Sequence, residues 1–302
     1  MLIFDWLLKN KHIRQIYVGP EHQTSLEKSS IKNPCQFRFE NQKSKIFNQK
    51  SMNPLQQALI EKTGQEQGWE RLIESTENVV ILASARHRAR ASITQTGASL
   101  WHVSVPQGLV AEELARSFPI TGGHDSVFAV SSFDGLAQIL RRTAELAQSL
   151  PNQAELTYAV RLKDALAALG PMTTEVERIV KQRIGQDTFR QALMDYWGNA
   201  CAVTGIEFPA ILRASHAKPW ADCATDSERL DVYNGFLLTA NLDALFDRGF
   251  ISFDDDGLML FSTELPAPVR DELGLAAPIQ LRWLSDQHRA YLHWHREHVL
   301  VR

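Results

Sequence analysis

The stretch from residue 211 to 262 holds the strongest local signals in this chain. ILRASH alternates apolar and polar residues, ends at His216 and is followed by the strand-breaking KPW. FLLTA is a short apolar run, and the helical pattern over residues 241–248 ends at Gly249, a residue type that closes many helices. A DDG turn between FISFD and LMLFS then predicts a β-hairpin. These signals predict an α+β fold for the C-terminal part.

Two aspartates share one face of the predicted helix. Asp243 and Asp247 are four residues apart, on the side opposite to the apolar residues Leu242, Leu245 and Phe246. Like charges at this spacing cost roughly a few tenths of a kcal/mol, and the helix dipole disfavours Asp247 near the C-terminal end. A Mg²⁺ or Mn²⁺ ion would remove both objections, because hard carboxylate oxygens suit these cations. The ordinary alternative is a solvated acidic helix surface.

The order and spacing of three motifs resemble those of the HNH endonucleases. The motifs are SHAKPW (215–220), NGFLL (234–238) and LDALFDRG (242–249). The resemblance implies a ββα-metal fold in which His216 is the general base and Asn234 orients it. It also implies one divalent metal, Mg²⁺ or Mn²⁺, held by Asp243 and Asp247, nine and thirteen residues after Asn234. The resemblance covers roughly residues 185–262.

The sequence departs from the family pattern at two places. Many members carry an Asp or His metal ligand where this chain has Ser215, so Asn241 is an alternative ligand and Asp243 the safer one. Many members also bind zinc through two CxxC pairs, whereas here one pair reads CAVT (201–204) and Cys223 has no partner. We therefore expect no structural zinc.

The resemblance implies metal-assisted hydrolysis of DNA phosphodiester bonds, with a role in restriction or defence against foreign DNA. Arg213, Lys218 and Arg248 flank the motifs and are expected either to contact the nucleic-acid backbone or to be solvated charges. Double-stranded DNA is the expected partner, with RNA as an alternative substrate and a homodimer expected if both strands are cut. The competing hypothesis is a catalytically inactive DNA-binding or regulatory module, which Ser215 permits.

Charge and residue patterns predict four segments. Residues 1–51 carry nine Lys/Arg against four Asp/Glu and contain no alanine, which favours a disordered basic extension over a DNA-binding arm. Residues 52–150 form a small α+β domain that is expected to recognise the target. Residues 151–172 are a helical connector, and residues 173–302 are the HNH domain with flanking helices.

Within residues 52–150 the patterns predict helices and strands in a definite order. Asn53-Pro54 begins a helix, and helices are also expected at residues 111–117 and from Asp134 to about Leu150. The predicted strands are VVILA, ARASI and LWHVSVP, which form a meander, and VFAVS. The sequence RHRAR between two of these strands is interpreted as a solvated turn.

The C-terminal segment gives weaker signals. A helix begins at Thr173 or Thr174 and ends or bends at Gly185, and Asp187 caps a second one. The C-terminal segment holds His288, His293, His295 and His298, which invite a second metal site. An ordinary packing stripe is the preferred interpretation, because short histidine spacings are weak motifs and His295 fits a stripe with Leu284, Tyr291 and Leu292.

The overall charge and hydropathy exclude two broad classes of protein. The net charge of −3 excludes a bulk polycation that coats nucleic acid, but not a local basic groove. No apolar run approaches the roughly 20 residues of a membrane span, and the start of the chain lacks the features of a secretory signal. We therefore expect a cytoplasmic protein.

Overall fold

A computed structural model of the protein describes residues 51–97, 99–121, 126–150, 152–170, 173–276 and 279–302. All of these ranges belong to one compact unit, Ile46–Arg302. Apart from Ser51, the predicted basic extension over residues 1–51 lies outside the described residues.

Among the described residues, an antiparallel sheet of five strands lies before the segment that holds the three motifs (215–249). Each strand pairs with the next in chain order. The predicted meander and the VFAVS strand are confirmed. The first strand, β1, was not predicted, because its residues are mostly exposed and a bulge between Leu72 and Glu74 breaks the two-residue alternation. The strands are β1 (Arg71–Ser75), β2 (Val80–Ala83), β3 (Arg90–Gln95), β4 (Trp101–Ser104) and β5 (Val127–Val130).

Helices α1 (Pro54–Glu66), α2 (Leu109–Leu114) and α3 (Phe133–Ser149) accompany this sheet. Helix α1 begins as predicted, because the Asn53 side chain accepts a hydrogen bond from the backbone N–H of Gln56 at 2.9 Å. Helix α3 begins at Phe133 and is capped by Ser132, rather than by Asp134 as expected, since the Ser132 hydroxyl accepts a hydrogen bond from the backbone N–H of Gly135. The hydrophobic core between the helices and the sheet includes Ile60, Trp69, Leu82, Ile93, Phe128 and Leu140.

Helix α4 (Gln153–Leu169) lies in the segment predicted as a helical connector and packs on the longer helix α5 (Thr174–Tyr196). The predictions that a helix ends at Gly185 and that Asp187 caps a second one are wrong, because α5 continues through both residues. Glycine is required for packing instead, since a Cβ at this position would collide with the Trp220 ring. No helix within the described part of the chain is long and apolar enough to cross a bilayer.

The segment after α5 forms a β-β-α unit. Strand β6 (Leu212–His216) pairs antiparallel with β7 (Gly235–Thr239), and His216 lies opposite Gly235. Helix α7 (Ala240–Asp247) follows β7 directly, as predicted, and Gly249 just after it has a positive φ of 71°. The remaining elements are α6 (Asp226–Leu230), a 3₁₀ turn (Val232–Asn234), the predicted hairpin of β8 (Ile251–Phe253) and β9 (Met259–Phe261), α8 (Ala267–Glu272) and α9 (Asp286–His298).

Buried polar contacts join the sheet region to the β-β-α region. The Arg142 guanidinium on α3 donates to the carbonyl oxygens of Asp195 (2.8 Å) and Tyr196 (2.6 Å) at the end of α5. The Tyr196 hydroxyl donates to the carboxylate of Glu113 on α2 at 3.1 Å. The two regions therefore share one packed interior, and their division into domains at residues 151–172 stays a prediction.

Candidate active site

His216, at the end of β6, has a fixed ring orientation. Its Nε2 lies 2.9 Å from the carbonyl oxygen of Arg229. Because a carbonyl can only accept, Nε2 carries the hydrogen, and the lone pair of the neutral ring is on Nδ1. The predicted general base is thus held in one tautomer, with Nδ1 as its proton acceptor.

Aromatic side chains surround the His216 ring. The Phe189 ring of α5 stacks on it at 3.7 Å between centroids, and the Trp220 ring meets it edge-on at 5.9 Å. Gly185 makes room for Trp220, as described above. Burial lowers the pKa of His216 to about 4, so the imidazole is neutral near pH 7.

The Asn234 side chain, which is fully buried, was predicted to hydrogen-bond to the His216 ring, but it bonds to backbone groups instead. Its Oδ1 accepts from the backbone N–H of Lys218 at 2.8 Å, and its Nδ2 donates to the carbonyl oxygens of Lys218 and Glu228, both at 3.1 Å. The amide closes the loop between β6 and β7, because it satisfies backbone groups at both ends of that loop. Asn234 thus fixes the backbone next to Arg229, whose carbonyl holds the His216 ring.

The two aspartates predicted as metal ligands lie on α7. The Ser215 hydroxyl, which is 1% exposed, donates a hydrogen bond to Oδ1 of Asp243. Asp247 is exposed one turn later, yet desolvation of its carboxylate, followed by repulsion from Asp243, raises its pKa to about 6. Asn241, the alternative ligand, is exposed at the start of α7.

A cleft of about 370 Å³, here called the His216 cleft, brings the predicted base and one predicted ligand together. His216 and Asp247 both line it, and Ser215 links the neighbouring Asp243 to the same strand. The other lining residues come from α5, the β6 strand and the loop after it, and the C-terminal helix: Gln186, Ala214, Pro219, Trp220, His295 and Val299.

The oxygen donors in the His216 cleft and beside it fit a hard divalent cation that also binds substrate. Asp243 and Asp247 supply two carboxylates. Desolvation and the charge of Asp243 raise the pKa of Asp247, and no protein cation is among the groups that shift it. Mg²⁺ is usually bound by one or two carboxylates together with water and substrate phosphates. Among the described residues there is no group of three or more His, Cys, Asp or Glu side chains placed to hold a metal alone. The donor set therefore fits a shared site for Mg²⁺ or Mn²⁺ and phosphate.

The three predicted nucleic-acid contacts differ in their surroundings. The Lys218 ammonium lies 3.0 Å from the Glu228 carboxylate and is 17% exposed, so its charge is already paired. Arg213 is exposed, and its guanidinium donates to nearby carbonyl oxygens of its own segment. Arg248 is exposed directly after Asp247. Arg248 and Arg213 are therefore better placed than Lys218 to meet a phosphate.

Sequence reasoning missed several residues that build this site. Phe189 is an apolar helix residue without any catalytic pattern around it, and the Arg229 carbonyl carries no sequence signal because every residue has one. His295 was assigned to a packing stripe on the C-terminal helix, yet it lines the His216 cleft. His293 instead pairs with Glu297 at 3.2 Å on the helix surface.

Comparison with known proteins agrees with this geometry. No curated protein matches the chain. Residues 201–254 match the family model of the HNH endonucleases, and this range contains His216, Asn234, Asp243 and Asp247. The chain therefore contains an HNH endonuclease domain at residues 201–254.

Proposed function

We propose that this protein is a metal-dependent endonuclease that hydrolyses phosphodiester bonds in DNA. The observation that carries the proposal is the pairing, in one cleft, of a neutral His216 with a free Nδ1 and an aspartate with a raised pKa. A cleft lined by groups with perturbed pKa values is a typical site of catalysis.

His216 acts as the general base in this mechanism. Its Nδ1 takes a proton from water, the water oxygen forms a new bond to phosphorus, and one ester P–O bond breaks with its electron pair on the leaving oxygen. The Arg229 carbonyl stabilises the resulting imidazolium, because it accepts the Nε2 hydrogen bond at 2.9 Å. The Phe189 and Trp220 rings keep the imidazole in place during the proton transfer.

Asp243 and Asp247 would hold Mg²⁺ or Mn²⁺ together with the scissile phosphate. When bound there, the cation supplies charge neutralisation of the phosphate and of the developing negative charge on the leaving oxygen. Ser215 keeps Asp243 in place through its hydrogen bond, so its hydroxyl supports a ligand in this proposal. Arg213 and Arg248 contact the DNA backbone next to the site.

The proposed biological role is restriction or defence against foreign DNA in the cytoplasm, with residues 52–150 recognising the target. Each chain offers one His216 cleft among its described residues, and the strands of duplex DNA run antiparallel. Cutting both strands therefore calls for two copies of the chain, so a homodimer or paired action is part of the proposal.

Nicking of supercoiled plasmid by the full chain tests the function. With Mg²⁺ we expect open-circle and linear products, none with EDTA, and a loss of more than about 100-fold in rate for His216→Ala. His293→Ala is the matched control, since this histidine lies on the surface of α9. Plasmid that is only retarded in a gel by wild type would instead favour the catalytically inactive DNA-binding module.

A further inference from the structure

We propose that His295, on the C-terminal helix α9, is a positioning residue that fixes the end of α7 and so places the Asp247 carboxylate. This inference rests on the proposed function, because it assigns His295 a part in the metal site. Helix α9 lies outside residues 201–254, which match the HNH family. His295 is 1% exposed and lines the His216 cleft beside Asp247.

Both ring nitrogens of His295 are engaged. Nε2 lies 3.1 Å from the carbonyl oxygen of Phe246, the residue before Asp247, and must donate to it. Nδ1 then accepts from the hydroxyl of Ser252 on β8, at 3.0 Å. Because neither nitrogen has a free lone pair, His295 is not itself a metal ligand.

The His295 ring also packs against the end of α7. It stacks on the Phe246 ring at 3.9 Å between centroids, with the planes 6° apart. Phe246 is fully buried, so this contact anchors α7 from its apolar side while Asp247 faces the cleft. One residue of α9 thus holds both the backbone and the side chain next to Asp247.

A second contact ties the chain just after α7 to the chain just after α9. The backbone N–H of Val301 donates to the carbonyl oxygen of Gly249 at 3.0 Å. A Cβ at Gly249 would collide with the Val299 carbonyl oxygen, so the two segments approach as closely as glycine allows. The C-terminal segment therefore contacts the end of α7 both before Arg248, at Phe246, and after it, at Gly249.

Such support is needed because Asp247 occupies an unfavourable place. It is in the last turn of a short helix, where the dipole disfavours a carboxylate, and Asp243 repels it one turn away. Without the His295 bond, fraying of the last turn would relieve this repulsion and move Asp247 away from Asp243. A residue that orients a metal ligand in this way typically changes metal affinity by about 10- to 100-fold.

Mn²⁺ binding to the full chain, measured by calorimetry and by the EPR signal of free Mn²⁺, tests the proposal without relying on activity. His295→Asn is too short to reach the Phe246 carbonyl and should weaken Mn²⁺ binding by about tenfold. His295→Gln places an amide N–H near the Nε2 position and should restore most of the affinity. The matched control is His288→Asn, because His288 is fully buried on the same helix and, among the described residues, its ring hydrogen-bonds only to Ser285 at the helix start.

The outcomes separate the two proposals. If wild type does not bind Mn²⁺, both the metal-dependent function and the role of His295 are overturned. If wild type binds Mn²⁺ and His295→Asn binds it equally well, or if His288→Asn weakens binding as much, only the positioning role is overturned. Should His295→Asn fail to fold, Ser252→Ala removes the bond to Nδ1 and is expected to weaken Mn²⁺ binding several-fold; unchanged affinity there also overturns the proposal.

Discussion

Replacing Asp247 with asparagine should stabilise the metal-free protein. The change removes a like charge four residues from Asp243, worth about 0.2–0.5 kcal/mol. It also removes a carboxylate from the last turn of α7, worth about 0.3–1 kcal/mol. Because Asp247 is exposed and water screens part of both effects, we expect a gain of about 1 kcal/mol in the free energy of unfolding in EDTA. For a unit of this size the melting temperature should rise by about 2–4 °C.

The pH dependence of this gain follows from the pKa of Asp247, which is raised from 3.8 to about 6 in the folded chain. Between these values the folded chain binds the proton more tightly than the unfolded chain, so wild-type stability falls as the pH rises. The penalty is complete above about pH 6 and absent below about pH 4. Asparagine does not titrate, so the advantage of Asp247→Asn should be full near pH 8 and vanish near pH 4.

Mn²⁺ should reverse the order of stability. A ligand at about 100 times its Kd stabilises the folded state by about 2.7 kcal/mol, which exceeds the gain from the substitution. Urea and thermal melts near pH 8, with EDTA or Mn²⁺, measure both effects, and Asp256→Asn in the β8–β9 turn is the matched control. The reasoning is refuted if Asp247→Asn is less stable than wild type in EDTA, or if Mn²⁺ stabilises both equally.

Two further predictions concern the base and the DNA contacts. Gly185→Ala should displace the Trp220 ring from His216, lower the free energy of unfolding by roughly 1–3 kcal/mol and slow plasmid nicking; unchanged melts and nicking would contradict this packing. Arg248→Ala should weaken DNA binding and reduce the salt dependence by about one charge, whereas Lys218→Ala should change neither, because Lys218 is already ion-paired. Fluorescence anisotropy of a labelled duplex at several salt concentrations measures both, and equal slopes for the two variants would contradict the assignment.

The parts of the fold that the sequence predicted are those with local causes. Helix α7 was predicted because its apolar residues recur at helical spacing and a glycine follows them, and Gly249 takes the positive φ that such a helix end favours. The β8–β9 hairpin was predicted from its DDG turn. Strand β1 was missed because its pairing with β2, rather than any alternation of its own, makes it a strand.

The candidate site was only partly predictable, because several of its contacts join residues far apart in the chain. The positions of His216 and the aspartates follow from spacing, but the tautomer of His216 depends on the Arg229 carbonyl thirteen residues away. The predicted bond from Asn234 to His216 was wrong because the loop between β6 and β7 has buried backbone groups that the amide satisfies. His295 acts on Phe246 across 49 residues of chain, and no local pattern indicates such a contact.

Helix α5 connects the five-stranded sheet region to His216, the proposed general base. Phe189 in this helix stacks on His216, and two turns later the Tyr196 hydroxyl donates to Glu113, which is 3% exposed. A buried carboxylate needs its partners, because losing one leaves an uncompensated charge, and Arg116 provides the other at 2.8 Å. A shift of α2 against the sheet would therefore disturb Tyr196 and the helix that positions the base. If residues 52–150 recognise the target, as we propose, the recognising surface and the His216 cleft belong to one packed body.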